Sequence, residues 1–261
     1  MSVIQEYISL SKKIADTVVS QEANIQQAAK WFAQTILHGR MVHVFGSGHS
    51  RIMVEEMWPR YGSFPGFNPI VELSLTFHNL VVGANGQRQA MFLENVSGLA
   101  DRILRNFDIS SIDCALIISS SGTNIVPVEM AELFQQKKIK VVSIITQQHS
   151  GKSESKRSDG KKLSNFSDLV LDTGAPVGDS MIYIKGLETP VAPGSTVGGA
   201  MIINCIKAEV ARLLTEAGQP PKVLTATNIA GKEKATELFE SAYDEHAHRL
   251  AKLYEHVGTK K

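Results

Sequence analysis

Two short loops contain the residues best suited to chemistry. Gly46–Ser50 reads GSGHS, and Ser119–Asn124 reads SSSGTN immediately before a helical pattern. Hydroxyl groups and free backbone N–H groups at a helix N-terminus donate hydrogen bonds to anions, and the helix dipole adds about 1 kcal/mol. The second loop contains no lysine or arginine. It therefore predicts an anion site made of neutral donors, the alternative being a serine-rich turn with a capping residue.

The loop Gly46–Ser50 lets the main chain approach a ligand closely. Gly46 and Gly48 permit a sharp turn, and Ser50 is placed to cap the helix that follows. The glycine spacing is neither a dinucleotide-binding GxGxxG motif nor a Walker A loop. Histidine exchanges protons near neutral pH, so His49 is a candidate acid or base. The alternative is a loop histidine that only makes hydrogen bonds.

The elements that must position these loops alternate along the chain. Short apolar runs separated by helical patterns predict βαβ units and a parallel sheet with helices on both faces. The runs predicted to be strands are 41–45, 69–73, 114–118, 141–145 and 168–171, with a further short piece at 80–82. In such a sheet, ligands bind beyond the carboxyl ends of the strands, where both loops lie.

Helical periodicity covers most of the remaining chain. The segment Ile4–His38 reads as one long helix that ends before Gly39. Further helices are predicted at 126–138, 197–214 and 232–256, and residues 147–162 read as an exposed polar loop. No linker divides the chain. We therefore expect a helical segment at 1–40, an α/β core at 41–217, and a C-terminal tail and helix at 218–261.

Composition narrows the classes of partner. The chain of 261 residues has 27 basic and 26 acidic side chains, and a net charge of +1 argues against a nucleic-acid binder. No apolar run approaches the roughly 18 residues of a membrane span, and Met1–Leu10 does not read as a signal peptide. Cys114 and Cys205 lie in apolar runs and are predicted to be buried thiols. We expect a cytoplasmic protein that needs no metal and no cofactor.

The two loops together resemble a known family. A GxGxS motif and an SxSG motif about 70 residues apart are similar to the SIS (sugar isomerase) domain, over roughly Gln26–Leu214. The resemblance implies a Rossmann-like, flavodoxin-type three-layer α/β/α sandwich in which the serine-rich loop holds the phosphate of a phosphorylated sugar. The residues that would bind the sugar phosphate through the two loops are Gly46, Ser47, Gly48, Ser50, Ser119, Ser120, Ser121, Gly122, Thr123 and Asn124. Asn124 stands where the family usually has Ser or Thr.

Further motifs resemble the phosphoheptose isomerase family. The run Glu55–Tyr61 (EEMWPRY) is similar to that family's EELxxRY run, in which the second glutamate is a catalytic acid or base, and this implies such a role for Glu56. The alternative is a solvated helix glutamate. The segment FHNLVVGANGQ at 77–87 is similar to a pocket loop, which implies that His78 and Asn85 bind substrate.

The last core helix departs from that family, because it has no histidine. It offers Ser195 and Thr196 at its start as substrate-binding candidates. Asp179, after the fifth strand, is a candidate for binding sugar hydroxyls or a simple turn residue. The overall layout, with GHS, EE, SSGxNxVPVEMA and GAPVGD, is most similar to the UPF0309 proteins.

Three functions fit these residues. The first is an aldose–ketose isomerase that acts on a sugar phosphate through an enediol, which needs a base, a second acid or base, and donors to the oxyanion. The second is a non-catalytic phosphosugar sensor, and the third is a phosphosugar lyase, etherase or deaminating isomerase on the same site. The apolar stripe of the N-terminal helix must be buried somewhere, and SIS proteins typically dimerise through such a helix. Together these points imply a homodimer or larger homo-oligomer.

Overall fold

Five apolar runs pair into one parallel sheet, as the alternating pattern predicts. The protein is described from a computed structural model that covers residues 1–76 and 86–257. The strand order is β2-β1-β3-β4-β5, which is the flavodoxin-type order. These strands are β1 Val42–Gly46, β2 Phe67–Ile70, β3 Cys114–Ile118, β4 Lys140–Ile145 and β5 Leu169–Asp172. The predicted extra piece at 80–82 lies outside the described residues.

Helices connect and cover these strands. The longer ones are α1 Val3–Val19, α2 Glu22–Leu37, α7 Ile125–Gln136, α9 Ser195–Glu216 and α11 Lys232–Tyr254. The shorter ones are α3 Arg51–Met57, α4 Leu73–Thr76, α5 Gln87–Leu93, α6 Leu99–Leu104, α8 Gln147–Lys152 and α10 Thr227–Ala230. Single 3₁₀ turns occupy Gly48–Ser50 and Leu163–Phe166. The predicted exposed loop at 147–162 thus begins as helix α8.

Each face of the sheet buries its own apolar core. On one face, α2, α3 and α9 cover the side chains of Val44, Leu116 and Ile144, which alternate with residues on the other face. On that second face, α6 and α7 cover Ile117 and Val141. Strands buried on both sides read as continuous apolar runs, which is why the sequence pattern identified them. The result is the three-layer α/β/α sandwich.

The prediction of a single N-terminal helix over Ile4–His38 is wrong, because the segment forms two helices, α1 and α2, with a break after Val19. The cause is a contact distant in sequence, because the side-chain amide of Gln21 docks on the end of β5. Its Nε2 donates to the carbonyl of Asp172 at 2.8 Å, and its Oε1 accepts from the Asp172 N–H at 2.7 Å. The apolar stripe of α2 is buried within the chain against α9, so this half of the stripe needs no second copy.

Two further features were not predicted. A small antiparallel hairpin, β6 Ser180–Ile182 with β7 Val191–Pro193, packs against α1. The two cysteines also differ, since Cys114 is buried and Cys205 on α9 is exposed. The prediction that both thiols are buried is therefore wrong for Cys205, which lies on the outer side of an amphipathic helix.

A buried ionic network closes the amino end of the sheet. Arg40 donates to both carboxylate oxygens of Asp113 at 2.7 and 2.8 Å, and His43 Nε2 lies 3.1 Å from the same carboxylate. Asn68 donates to His43 Nδ1 at 3.0 Å, which assigns the ring proton to Nε2. Burial opposes ionisation of Asp113, but the hydrogen bonds from Arg40 and His43 outweigh it and hold the pKa of Asp113 below its usual value.

The described residues contain neither a membrane-spanning helix nor a metal-binding group of side chains. No helix within 1–76 and 86–257 is long and apolar enough to cross a membrane. Over the same ranges, no group of His, Cys, Asp and Glu side chains is arranged to hold a metal ion.

The start of α9 lies directly against the end of β5, and a glycine makes this approach possible. A Cβ atom added to Gly198 would lie 1.9 Å from the carbonyl oxygen of Thr173. Such a distance is inside any van der Waals contact, so helix and strand would have to separate. Because α9 also packs against α1, α2 and α3, that separation would disturb the whole layer.

We predict that Gly198→Ala destabilises the protein by about 1–3 kcal/mol, the usual cost of overpacking. For a chain of this size, Tm should fall by roughly 2–4 °C per kcal/mol in thermal unfolding. Gly151→Ala is the matched control, because nothing lies within 4 Å of its added Cβ. An unchanged Tm for Gly198→Ala would mean that α9 is not seated as described.

Candidate functional site

Strand register brings the two chemistry-bearing loops to the same edge of the sheet. Gly46 at the end of β1 pairs with Ile118 at the end of β3, and Ile118 pairs with Ile144 on β4. The next residues along the chain, Ser47 and Ser119, are therefore neighbours. Main-chain bonds continue the alignment, since the Ser119 N–H donates to the Ile144 carbonyl at 3.0 Å.

A cleft of about 260 Å³ opens at this edge. It is lined by most of the predicted site residues, namely Ser47, Gly48, His49, Ser50, Ser119, Ser120, Ser121, Asn124, Asp179, Ser195 and Thr196. Gly46, Gly122 and Thr123 belong to the two loops but do not line the cleft. His78 and Asn85 lie outside the described residues.

Two hydroxyl groups of the loop Ser119–Asn124, those of Ser119 and Ser121, donate to no acceptor within the described residues. Ser121 Oγ accepts a hydrogen bond from the Thr123 hydroxyl at 3.0 Å, which leaves the Ser121 proton to donate elsewhere. Ser119 Oγ likewise accepts from the Gly122 N–H at 3.2 Å. Gly122 itself has a φ of +64°, and an added Cβ would lie 3.3 Å from Ser150 Oγ, so the tight turn requires glycine.

A chain of hydrogen-bonded hydroxyl groups connects this loop to the ends of the neighbouring strands. Ser120 Oγ lies 3.0 Å from Thr146 Oγ1, which lies 2.7 Å from Thr173 Oγ1. Thr146 and Thr173 are both buried, and Thr173 lines the cleft. The chain therefore links the ends of β3, β4 and β5 through polar side chains rather than through apolar packing.

Helix α7 starts at the cleft and points its N-terminus toward it. Asn124 is the N-cap residue, yet its side chain makes no capping hydrogen bond. Its side chain instead hydrogen-bonds the carboxyl group of Glu94, and the Val126 N–H donates to the Glu94 carbonyl at 2.9 Å. The positive end of the α7 dipole is thus beside the serine-rich loop, where it favours an anion.

Glu94 is the most important lining residue that the sequence did not reveal. It is only 9% exposed, and Ser47 donates a hydrogen bond to its Oε2 at 2.7 Å. Burial raises the pKa of Glu94, although the bond from Ser47 and the charge of Lys156 partly offset the effect. A carboxyl group that protonates closer to neutral pH suits general acid–base catalysis.

His149 is another lining residue outside the prediction. It lies on α8, directly after β4, so the rule that ligands bind beyond strand ends could have indicated it. The Gly178 N–H lies 3.2 Å from His149 Nδ1, which assigns the proton of a neutral ring to Nε2. Gln87, Ala90 and Met91 of α5 complete this group of unpredicted lining residues.

Asp179 ties the start of α9 to the cleft wall. Its Oδ1 accepts from the N–H groups of Gly194 and Ser195 at 3.1 and 2.7 Å, and its Oδ2 accepts from the Ser195 hydroxyl at 2.7 Å. These bonds make Asp179 a cap for α9. A role in binding sugar hydroxyls stays a prediction for both Asp179 and Ser195.

Ser50 and Glu56 lie at opposite ends of α3. Ser50 lines the cleft, but its side chain makes no capping bond to α3, so the predicted cap is wrong. Glu56 lies at the other end of α3, outside the cleft lining, and Asn204 donates to its Oε1 at 2.8 Å. Asn204 is eight residues beyond Thr196, which is about 12 Å along α9.

The charge state of Glu56 also differs from that of Glu94. Burial opposes the ionisation of Glu56, but hydrogen bonds from Asn204 and Arg60 outweigh burial and lower its pKa. Lys207 adds a further contact, because its Nζ donates to the Glu56 carbonyl at 2.7 Å. Glu56 is therefore a firmly ionised carboxylate held between two helices, and its catalytic role stays a prediction.

Comparison with known proteins shows to which family the chain is similar. A family model of the SIS domain matches residues 6–146 of the chain. A UPF0309 protein of Listeria innocua is 30% identical over 243 residues, which cover 93% of this chain and 96% of that protein. A UPF0309 protein of Thermoanaerobacter pseudethanolicus is 32% identical over 234 residues, which cover 88% and 92%.

A solved structure agrees with the fold. A phosphoheptose isomerase from Francisella tularensis aligns with a TM-score of 0.50 over 80% of this chain and 96% of that one. At 16% sequence identity, this similarity supports the arrangement of the sheet and helices alone.

We predict that Glu94→Gln stabilises the protein in a pH-dependent way. The folded protein holds the Glu94 proton more tightly than the unfolded chain, so the carboxyl group lowers stability as pH rises through the raised pKa. The Tm difference between variant and wild type should be small near pH 4 and should grow toward pH 8. Glu154→Gln, an exposed carboxylate on the segment after α8, is the control. A difference that stays constant with pH would contradict the burial of Glu94.

Proposed function

The chain belongs to the SIS domain family, together with the UPF0309 proteins, and from this we propose that its cleft binds a phosphorylated sugar and isomerises it between aldose and ketose. One observation supports the proposal above the others. The cleft combines an anion-binding loop at a helix N-terminus with a buried carboxyl group, Glu94, whose pKa is raised. The loop suits the phosphate, and the carboxyl group suits proton transfer.

The phosphate lies against the loop Ser119–Asn124 in this proposal. Ser119 and Ser121 each have a hydroxyl proton to donate, and the N-terminus of α7 adds its dipole. Neutral donors hold an anion without the desolvation cost of a buried cation.

Glu94 moves the proton between the two carbon atoms. The ionised carboxylate takes the proton from the carbon next to the carbonyl group, an enediol forms, and the same carboxyl group returns the proton to the neighbouring carbon. His49, at the opposite loop, transfers the proton between the two substrate oxygens. Both side chains line the cleft, and Ser47 orients Glu94 through its hydrogen bond.

The remaining lining residues suit a small polyol. A cleft of about 260 Å³ is at the small end of ligand sites. His149 Nε2–H, Gln87 and Thr196 supply polar groups at its wall, where sugar hydroxyls need partners. Binding by these groups fixes the sugar so that its reacting carbons lie beside Glu94.

Glu56 is the competing candidate for the base. The EEMWPRY run favours Glu56. Two observations argue against it: Glu56 lies outside the cleft lining, and its lowered pKa makes the carboxylate a weaker base. Substitution of the two glutamates in parallel decides between them.

We also propose that the protein forms at least a homodimer in a reducing compartment such as the cytoplasm. The N-terminal turns of α1 leave Val3, Ile4 and Ile8 exposed, and this apolar stripe is not covered by any other described part of the chain. The exposed thiol of Cys205 suits reducing surroundings.

We predict that sugar phosphates raise the Tm of the wild type and that Ser121→Ala removes most of the effect. A ligand at 100 times its Kd adds about 2.7 kcal/mol of stability, which thermal shift detects. Ser158→Ala is the control, because Ser158 is an exposed serine that does not line the cleft. If no sugar phosphate shifts the Tm of the wild type, the loop is only a turn.

We predict that Glu94→Gln lowers kcat by a factor of about 10² to 10⁴ on the sugar phosphate that binds best, which is the usual range for loss of a general acid or base. Proton exchange between solvent and substrate, followed by NMR, should fall in parallel. A larger loss in Glu56→Gln than in Glu94→Gln would assign the base to Glu56. If the wild type binds sugar phosphates but turns over none of those tested, the protein is a sensor.

A further inference from the structure

We propose that Lys156 is the cationic ligand of the bound phosphate and that it gives the cleft its selectivity for phosphorylated over unphosphorylated sugars. The inference rests on the proposed function, because it takes the loop Ser119–Asn124 as the phosphate site. It adds a residue from a segment that the loop motifs do not include.

The cleft itself lacks a full positive charge. Among the described residues, its lining contains no lysine and no arginine. A phosphate monoester carries a charge of about −1.5 to −2 at neutral pH. Glu94 on the same cleft wall adds a further negative charge when it is ionised. Neutral donors alone therefore leave the bound phosphate with an uncompensated repulsion.

The segment 153–163 brings a lysine to this place. The main-chain N–H of Lys156 donates to the Thr123 carbonyl at 3.2 Å, so its backbone lies directly against the phosphate loop. The Leu163 N–H makes a second such bond, to the Gly122 carbonyl at 2.8 Å. Two separate contacts thus hold the segment along the outer side of the turn.

Ion pairs and hydrogen bonds fix the rest of the segment. Arg157 pairs with Glu132 on α7 and with Asp159, each at 2.7 Å. The Ser155 hydroxyl donates to the Lys161 carbonyl at 2.6 Å, which closes the segment into a compact loop. The backbone at Lys156 is consequently well held, and only its side chain has to move when an anion enters.

The side chain of Lys156 is available for that role. It is exposed, and within the described ranges no carboxylate lies at ion-pair distance from its ammonium group. Its charge nevertheless reaches Glu94, where it favours the ionised carboxylate. The Lys156 backbone contacts the phosphate loop, so its extended side chain is long enough to bring the ammonium group to an anion bound at that loop.

The test measures binding of inorganic phosphate by isothermal titration calorimetry. Lys156→Met should weaken phosphate binding about ten- to hundredfold, the usual effect of losing a charge-assisted hydrogen bond. Lys156→Arg should restore most of the affinity, since guanidinium groups also bind phosphate. Raising the salt concentration should weaken binding less in Lys156→Met than in the wild type.

Lys152→Met is the matched control, because Lys152 is an equally exposed lysine at the end of α8 and, unlike Lys156, is not among the groups whose charge acts on Glu94. It should bind phosphate like the wild type. Equal Tm values without ligand would establish that each variant folds.

The outcomes separate the two proposals. If the wild type binds and Lys156→Met binds equally well, the role of Lys156 is overturned while the phosphate site stands. An equal loss in Lys152→Met would also overturn it, because the effect would then be one of net charge. If neither inorganic phosphate nor any sugar phosphate binds the wild type, the proposed function fails, and the role of Lys156 fails with it.

Discussion

The pairing of β1 with β3 is the constraint on which the site depends. Because Gly46 and Ile118 end their strands at the same level, two loops from distant parts of the sequence begin side by side. A parallel sheet allows this only if both strands run in the same direction and in one register. A slip of one residue would turn the side chains of β3 to opposite faces and would separate Ser47 from Ser119. The two apolar cores therefore protect the site as well as the fold, since both penalise such a slip.

The protein buries a carboxyl group near each end of its sheet, and the surroundings shift the two pKa values in opposite directions. Asp113 at the amino end is paired with Arg40 and His43, so that its pKa is lowered and the ionised carboxylate is favoured. Among the described residues, Glu94 at the carboxyl end has only a hydroxyl and an amide as direct partners, so burial dominates and its pKa is raised. The first arrangement stabilises the fold across a wide pH range. In the second arrangement, the raised pKa lets Glu94 exchange a proton closer to neutral pH, at a cost in stability. Such shifts are typical of functional sites.

The sequence predicted those parts of the protein that depend on local patterns. A buried strand, a hydroxyl-rich turn and a helix follow one another within Cys114–Gln136, so this part of the candidate site could be predicted from one stretch of chain. Glu94 could not be found in this way, because it reaches the cleft through contacts of α5 with Asn124 and Val126. The break between α1 and α2 was missed for the same reason: it depends on Gln21 binding the main chain of β5, 151 residues away. Hairpin strands of three residues are likewise too short to give a period.

The hydroxyl chain from Ser120 through Thr146 to Thr173 has a consequence for the kind of anion that the proposed site would accept. Each of these oxygen atoms can either donate or accept its shared hydrogen, so all three protons can reverse direction together without any movement of heavy atoms. In one orientation Ser120 presents its proton to the cleft, and in the other it presents a lone pair. The first orientation suits an unprotonated phosphate oxygen and the second suits a P–OH group. In the proposed phosphate site, this rigid turn would accept both the monoanion and the dianion of the same phosphate, because the adaptation resides in the hydrogens alone.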